Sequence, residues 1–582
     1  MNRLNRQFFK DAWSLAKPYW TSEQRWLALG LLIAVIGLNL FQVYLSVKFN
    51  FWRNDFYNAL QAYDWNKTEH QFVVFMVLAA FWIASGVYAT YLQQMLTLRW
   101  RRWMTDSYLT AWLDHKAYYR MQLIDRGTDN PDQRIAEDLN KFPDQILSLS
   151  LGLMSSIVTL FSFLSILWSL SGPLALPLWG GKSIVIPGYA LWAALIYAGL
   201  GTWLTVKIGG PLVGLLFHQQ RYEADFRYSM VRLRENAESI AFFSGEKREF
   251  DAFRHYFGSV FDNFWGIMLR TKRLNWFTSG YSQAAILVPV FMALPLYFSK
   301  KIALGGFMQL LEAFGQVQSS LSWVVTAYAG GESGSIALFQ AVVTRLSGFK
   351  RRIEEVIPSH QEKEDIRFVD TPSGLSVRNL TLKLPHGETL MSGLSFELNR
   401  NDMMLVTGPS GSGKSTLLRA VAKLWPYAEG TIGVGYHRPL FMPQKPYLPL
   451  GSLRDVMLYP HGMIDRSLTP DSVDSIIRAA LTKAGLPALG SELDHVDSWS
   501  YRLSLGEQQR LNFARILIQS PDAVFMDEAT SALDEPAEAK LYELLRALPD
   551  RPMVLSIGHR STLRAFHDCF LELNTDTRTV AA

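Results

Sequence analysis

The segment MMLVTGPSGSGKSTLLRA, residues 403–420, decides the fold of the carboxyl-terminal part of this chain. A strand-like apolar run leads into a complete G-x-x-x-x-G-K-[ST] motif, and a helix-like run follows it. Backbone N–H groups of such a loop, and the start of the helix after it, bind phosphates. We therefore predict a nucleotide site that consists of Gly408, Pro409, Ser410, Gly411, Ser412, Gly413, Lys414, Ser415 and Thr416.

Two side chains of this loop and two carboxylates further along the chain carry the chemistry. Lys414 is expected to reach the β- and γ-phosphates, and the Ser415 hydroxyl is expected to ligate Mg²⁺. The segment AVFMDE, residues 523–528, is an apolar strand that ends in two carboxylates. Because a phosphate loop precedes it, we predict that Asp527 positions Mg²⁺ and that Glu528 acts as general base or orienter for the attacking water.

The amino-terminal part of the chain has the composition of a membrane domain. The 582 residues are 49% hydrophobic and only 19% charged, whereas soluble domains carry about 25% charged residues. A spanning helix needs about 20 mostly apolar residues. Six segments qualify, at about residues 26–49, 72–96, 147–170, 189–216, 281–298 and 304–328.

The sixth segment is the most polar, because Gln309, Glu312 and Gln316 share one helical face. A carboxylate inside a membrane usually faces a cavity or a polar partner, so we predict that these three residues line a substrate path. The alternative is that the helix begins later and that Glu312 lies at the membrane interface.

The loops predict the orientation of the chain. Lys and Arg are concentrated between the second and third segments and between the fourth and fifth. The positive-inside rule then places those loops and both termini in the cytoplasm. This also explains the net charge of +5 without a nucleic-acid partner. Cys569 is the one cysteine, which forms no intrachain disulfide and suits a reducing compartment.

Four further motifs resemble those of ATP-binding cassette (ABC) transporters. LSLGEQQR, residues 503–510, is similar to the family signature, and SALD, residues 531–534, is similar to its D-loop. MPQKP and SIGHR, residues 442–446 and 556–560, are similar to the Q-loop and the switch-histidine segment. The resemblance implies ATP and Mg²⁺ as cofactors. It also implies that Gln444 and His559 take part in catalysis and that Gln444 binds Mg²⁺. The nucleotide-binding residues that it implies are Ser504, Gly506, Glu507 and Asp534.

Two positions depart from the family pattern. Leu505 stands where most members have glycine, and residues 382–385 contain no Tyr or Phe to stack on adenine. The resemblance nevertheless implies a multidomain membrane protein. An all-α six-helix transmembrane domain with long cytoplasmic helical extensions covers residues 1–358, a linker covers 359–371, and an α/β P-loop cassette covers 372–582. One cassette with six spans is half a transporter, so the implied partner is a second copy of the chain.

The membrane part narrows the resemblance to one branch. Residues 49–61, 98–103 and 129–134 look like the SbmA/BacA-type peptide uptake proteins and their ABC-fused relatives. The peroxisomal fatty-acyl half-transporters share that pattern and resemble the cassette at residues 423–426 and 451–455. Residues 235–245 resemble the EAA-like motif of the branch, so we expect Glu238 to help couple the cassette to the membrane helices. The alternative is a charged helix that serves solubility only.

The branch implies a multi-pass protein, in contact with the lipid of the bacterial inner membrane, that uses ATP to import peptides or other bulky hydrophilic solutes such as cobalamin. Two alternatives stay open. One is ATP-driven export of lipids or drugs, or transport of fatty acyl-CoA. The other is a proton-driven carrier whose cassette is regulatory, although the intact Lys414, Glu528 and His559 argue against it.

Overall fold

A computed structural model describes residues 6–124, 131–177, 183–329, 335–356, 366–460 and 469–573. The chain divides into two compact units. The first comprises residues 1–114 and 127–355, and the second comprises residues 115–126 and 356–582. Part of the predicted linker 359–371 and part of the segment 129–134 lie outside the described residues.

The first unit is helical. In chain order its elements, together with α4 of the second unit, are α1 Arg6–Trp20, α2 Arg25–Gln61, α3 Trp65–Leu113, α4 Ala117–Ile124, α5 Pro131–Gln133, a π-helical turn Arg134–Asp138, α6 Leu139–Ser171, β1 Pro173–Pro177, β2 Ser183–Pro187, α7 Tyr189–Glu235, α8 Ala237–Phe242, α9 Glu246–Phe298, α10 Leu304–Ala329 and α11 Ile336–Val356. The antiparallel hairpin of β1 and β2 was not expected from the sequence.

Among the described residues, five helical stretches are long and apolar enough to cross a membrane: Arg25–Gln61, Trp65–Leu123, Pro131–Ser171, Tyr189–Glu235 and Glu246–Phe298. They contain the first five predicted spans. Helix α10 covers the sixth predicted span but is not among these five stretches. The helical membrane domain is thereby confirmed, whereas the number of six spans stays a prediction.

A buried carboxylate joins two helical segments of this unit. Asp138, only 2% exposed, ends the π-helical turn and accepts bonds from Arg345 of α11 at 2.8 and 2.5 Å. Arg134 also donates to Asp138 at 3.1 Å. Two arginines compensate the burial of this charge, so the turn and α11 are held in one arrangement.

The second unit is an α/β domain with two main sheets. Its elements are β3 Ile366–Asp370, β4 Gly374–Lys383, β5 Thr389–Leu398, β6 Met403–Thr407, α12 Lys414–Val421, β7 Ala428–Gly435, β8 Pro439–Met442, β9 Gly451–Ser452, α13 Leu453–Leu458, α14 Pro470–Lys483, β10 Val496–Asp497, α15 Trp499–Arg502, α16 Leu505–Gln519, β11 Ala523–Asp527, α17 Glu535–Arg546, β12 Met553–Ile557 and β13 Cys569–Glu572. A parallel sheet has the order β13-β6-β12-β11-β8.

The parallel sheet places the predicted site at one edge. Strands β6, β12 and β11 are successive neighbours in parallel register, so the loops after them meet at their carboxyl ends. Ligands of open α/β sheets bind at that edge. The other main sheet has the order β3-β7-β4-β5. Strand β3 lies within residues 359–371, which were predicted to be the linker. Because β3 pairs with β7, it belongs to the cassette, which therefore begins earlier than predicted.

Helix α4 belongs to the second unit although it follows a membrane helix in sequence. Leu123 packs against the apolar core that β4, β5 and β6 share with α12. The Lys116 ammonium lies 3.5 Å from the Ala422 carbonyl oxygen, and Arg120 donates to the Val356 carbonyl at 3.4 Å. The cytoplasmic loop predicted between the second and third spans thus supplies part of the cassette surface.

Candidate functional site

The phosphate loop has the backbone geometry that its glycines require. Gly408 has φ 148°, and a Cβ there would lie 2.5 Å from the Leu573 carbonyl oxygen. Gly413 has φ 92° and precedes α12 directly, so it turns the chain into the helix. Side chains at these two positions would be strained, which explains the glycines of the motif physically.

The cationic and hydroxyl side chains of the loop face the end of strand β11. Lys414 Nζ donates to the carbonyl oxygens of Gly408 and Pro409 at 2.8 and 2.7 Å, inside the curve of the loop. Burial lowers the pKa of Lys414, although the nearby Glu528 and Asp527 carboxylates oppose that shift. Ser415 Oγ donates to Asp527 Oδ1 at 2.9 Å. Burial raises the pKa of Asp527, which the Ser415 bond partly offsets.

Glu528 is held on both carboxylate oxygens. Gln444 Nε2 donates to Glu528 Oε2 at 2.9 Å, and His559 Nε2 lies 2.8 Å from Glu528 Oε1. The residue has φ 49°, a rare left-handed conformation for a non-glycine residue. The ends of β8, β11 and β12 thus bring together the three residues predicted to be catalytic.

The signature residues form the start of helix α16. Ser504 is its N-cap and shares a capping box with Glu507, whose carboxylate accepts from Ser504 Oγ at 2.7 Å. The Ser504 bonds lower the pKa of Glu507. A Cβ at Gly506 would lie 3.1 Å from the Ala532 carbonyl oxygen. Glu507 therefore orders the helix start, whereas the main chain at Gly506 packs against the D-loop.

Sequence reasoning missed Gln509, which joins three of the predicted motifs. It is fully buried, and its amide nitrogen donates to the Gln444 carbonyl at 3.1 Å and to Ser531 Oγ at 3.3 Å. Its amide oxygen accepts from the Ala532 N–H at 3.0 Å. The residue lies inside the quoted signature, but only the fold shows that it contacts the Q-loop and the D-loop. Asp534 caps α17 by accepting from the Ala537 N–H.

The predicted substrate-path residues meet polar partners on helix α2. Gln309 accepts from Asn54 Nδ2 at 2.6 Å through its amide oxygen and from Asn50 Nδ2 at 3.1 Å through its carbonyl. Glu312 forms an ion pair with Arg53 at 3.0 Å, and Gln316 Nε2 donates to Glu312 Oε1 at 3.0 Å. Glu312 therefore already has a cation beside it.

A separate polar cavity of about 470 Å³ lies between the helices α2, α3, α6 and α10. Of the three predicted path residues, only Gln316 lines it. The side chains around it carry no charge, and its polar groups are amides, hydroxyls and an indole. The lining residues are Asn39, Gln42, Val43, Ser46, Trp82, Gln93, Ser148, Leu151, Gly152, Ser155, Thr159 and Gln316.

A phosphate loop lies at the edge of a parallel sheet, together with two carboxylates and a capped signature helix. These features define a cassette ATPase, and in this chain the cassette follows a helical membrane domain in sequence. The sequence comparisons agree. Residues 15–298 match the family described as ABC transporter transmembrane region 2, and residues 391–531 match the family described as ABC transporter. The chain belongs to the ABC transporter family, as a half-transporter related to the D-type members, and it hydrolyses ATP in a cycle coupled to transport.

Several relatives align with nearly the whole chain. An uncharacterized ABC transporter ATP-binding protein of Haemophilus influenzae is 34% identical over 96% of this chain and 91% of its own. ABC transporter D family member 2, chloroplastic, of Arabidopsis thaliana is 36% identical over 98% and 86%. The lysosomal cobalamin transporter ABCD4 of Homo sapiens is 27% identical over 98% and 95%.

A solved transporter structure shows the same fold. A bacterial Atm1-family ABC exporter with ATP bound superimposes with a TM-score of 0.72 at 17% identity, over 95% of this chain and 94% of the other. At that identity the likeness shows the architecture, a helical membrane domain followed by a cassette, and carries no conclusion about direction or cargo.

Proposed function

We propose that the chain works as a homodimer in the bacterial inner membrane, with its cassette in the cytoplasm, and uses ATP to import a bulky hydrophilic solute. The observation that carries the proposal is the neutral polar cavity within the membrane unit of a chain that also has an ATP site. Amides and hydroxyls inside a membrane domain are costly unless they face water or a polar ligand. A substrate path explains why they are concentrated there.

Mg²⁺ fits the oxygen atoms at the edge of the sheet. The Ser415 hydroxyl and the Asp527 carboxylate lie 2.9 Å apart, and hard cations prefer such oxygen ligands. We assign Ser415, Asp527 and Gln444 to Mg²⁺, and residues 408–416 to the phosphates. The ion supplies charge stabilisation when it is bound. Glu528 orients and deprotonates the attacking water, while His559 and Gln444 hold its carboxylate.

The proposed homodimer follows from the position of the signature. Leu505 is 41% exposed, and it lies with Ser504 and Gly506 at the amino-terminal end of α16. A helix start with free N–H groups binds phosphate. We propose that Ser504, Gly506, Glu507 and Asp534 complete the ATP site of a second copy, since one chain has only one cassette.

We propose that the EAA-like segment couples ATP turnover to transport. It forms the short helix α8, in which Glu238 is exposed. The adjacent Phe242 and Phe243 are 79% and 85% exposed. Two exposed aromatic side chains beside a short helix suit a docking contact with the cassette of the second copy. Changing Glu238 to Ala should leave ATP turnover and abolish transport, and unchanged transport would count against this assignment.

The cavity narrows the cargo class. Neutral amides and hydroxyls pair well with neutral amide-bearing solutes, such as cobalamin or uncharged peptides. They offer no opposite charge to a cationic peptide, and Glu312 is neutralised by Arg53. A transporter of cobalamin is among the relatives. Fatty acyl-CoA, with its apolar tail, fits this lining less well and is the second candidate. Membership of the SbmA/BacA-type branch remains part of the proposal.

The test is uptake into sealed vesicles that hold ATP on the cassette side. Cobalamin, a neutral peptide, a cationic peptide and an acyl-CoA are compared, and accumulation of cobalamin or of the neutral peptide supports the proposal. Ser155→Leu fills the cavity and should abolish uptake. Ser165→Leu is the matched control, because Ser165 lies on the same helix and is exposed. Equal uptake by both variants would refute the assignment of the cavity.

A further inference from the structure

We infer that a second pocket, between α7 and α9, binds the phosphate headgroup of an anionic phospholipid. The pocket has a volume of about 510 Å³. Its lining combines three basic side chains with an apolar floor and two glycines. The lining residues are Pro211, Gly214, Leu215, His218, Gly266, Leu269, Arg270 and Arg273.

Packing between the two helices creates this pocket. On the membrane side they approach closely, since a Cβ at Gly209 would lie 3.5 Å from Leu274. On the other side Asn263 Nδ2 donates to the Leu215 carbonyl at 2.9 Å and to Gln219 Oε1 at 2.8 Å. Between these two contacts, Gly214 and Gly266 have no side chains to fill the space. The cavity is therefore built into the helix pair.

In the predicted orientation the pocket lies at the cytoplasmic end of the fourth span, because its lining residues Pro211, Gly214 and Leu215 fall just before the end of that span at residue 216. The fifth predicted span begins at residue 281, eight positions after Arg273. At about 1.5 Å per residue, this is about 12 Å of helix. Trp265 and Trp276, on the same helix, are largely exposed. Tryptophan is enriched at membrane–water interfaces, where its ring meets both lipid and water. The two tryptophans flank Arg270 and Arg273 along α9, one on each side.

The positive charges of the lining arginines favour an anionic ligand in this pocket. None of its lining residues is a carboxylate. Within the described part of the chain, neither Arg270 nor Arg273 has an ion-pair partner. Basic pockets between membrane helices on the cytoplasmic side suit anionic lipid headgroups, and the apolar floor suits the start of an acyl chain. A free phosphate would use the arginines but would leave that floor unfilled.

The experiment measures lipid binding, so it does not depend on the proposed transport. The full chain is placed in nanodiscs of phosphatidylcholine with or without phosphatidylglycerol, and bound phosphatidylglycerol is counted by native mass spectrometry. Changing Arg270 and Arg273 together to Gln should weaken its binding about 30-fold, because each basic group near a headgroup contributes about a factor of five. Gly214→Leu, which fills the pocket and keeps the charges, should weaken it as well.

The matched control changes Arg248 and Arg254 to Gln, two exposed residues of α9 that lie outside the pocket. This control removes the same charge and should retain the lipid. The inference fails if the control loses as much lipid as the pocket variants, or if all variants bind alike. It also fails if soluble glycerol phosphate, added to phosphatidylcholine nanodiscs, binds as tightly as phosphatidylglycerol, since the site would then take free phosphate.

Discussion

Replacing Glu528 with Gln tests the mechanism most directly. The two side chains have the same shape, and the contacts at 2.8 and 2.9 Å to His559 and Gln444 leave little freedom to move. The amide oxygen of the substituted side chain can accept the bond from Gln444, so the local packing should survive. What disappears is the negative charge that can take a proton from water.

The expected loss follows from that single change. A positioned general base contributes about 10²–10⁴-fold to a rate, so kcat for ATP hydrolysis should fall by about that factor. ATP binding should persist, because the phosphate loop is untouched. The assay is phosphate release by the purified chain in liposomes, with binding followed separately by a fluorescent ATP analogue. Glu543→Gln is the control, since Glu543 is exposed on α17 and should leave turnover unchanged.

Uptake by the same variant separates the two energy sources. An ATP-driven cycle should stop together with hydrolysis. A loss of hydrolysis with undiminished uptake would refute the ATP-driven proposal in favour of a proton-driven carrier. A fall in kcat of less than about tenfold would refute the assignment of Glu528 as the base.

Three further changes test the stability of the structure. Asp138→Asn should destabilise the membrane unit by about 3–5 kcal/mol, because it leaves partly buried arginines without their carboxylate. Glu137→Gln removes an exposed ion pair and should cost less than about 1 kcal/mol. Thermal unfolding in detergent measures both changes. Gly305→Ala would press a Cβ against the Asn54 carbonyl oxygen of α2 and should cost about 1–3 kcal/mol, while Gly315→Ala, with open space around it, should be tolerated in the same assay. Asp527→Asn should abolish hydrolysis yet raise the melting temperature at neutral pH. Burial raises the pKa of the Asp527 carboxyl, so its favourable contribution to folding stability exists below the unfolded pKa of 3.8 and is lost as pH rises through the folded pKa. The melting temperatures of the variant and the unchanged chain should therefore converge in acid.

Much of the ATP site could be predicted from the sequence because its motifs are local. The phosphate loop, the strand that ends in Asp527 and the helix that begins after Ser504 each lie within a few consecutive residues. The structure brings Gln444 and His559 within hydrogen-bond distance of Glu528. Gln509 was missed because a glutamine inside a known motif gives no sign of which loops it contacts.

The membrane unit was harder to predict. Its long helices follow from apolar runs, and α2, α3, α6, α7 and α9 contain the first five expected spans. The polar residues of α10 stand out in the sequence, but the sequence does not indicate their partners. Asn54 contacts Gln309 across 255 positions of sequence, and no local pattern relates the two helices.

By itself, the sequence determined that this chain joins a helical membrane domain to an ABC cassette, because strand–loop–helix motifs and apolar runs are encoded by neighbouring residues. Only the tertiary structure decided that Glu312 is paired with Arg53, that neutral side chains surround the cavity, and that two glycines open a basic pocket between α7 and α9. Charge neutralisation and cavity shape depend on which distant side chains become neighbours, and only the packing of the helices fixes that.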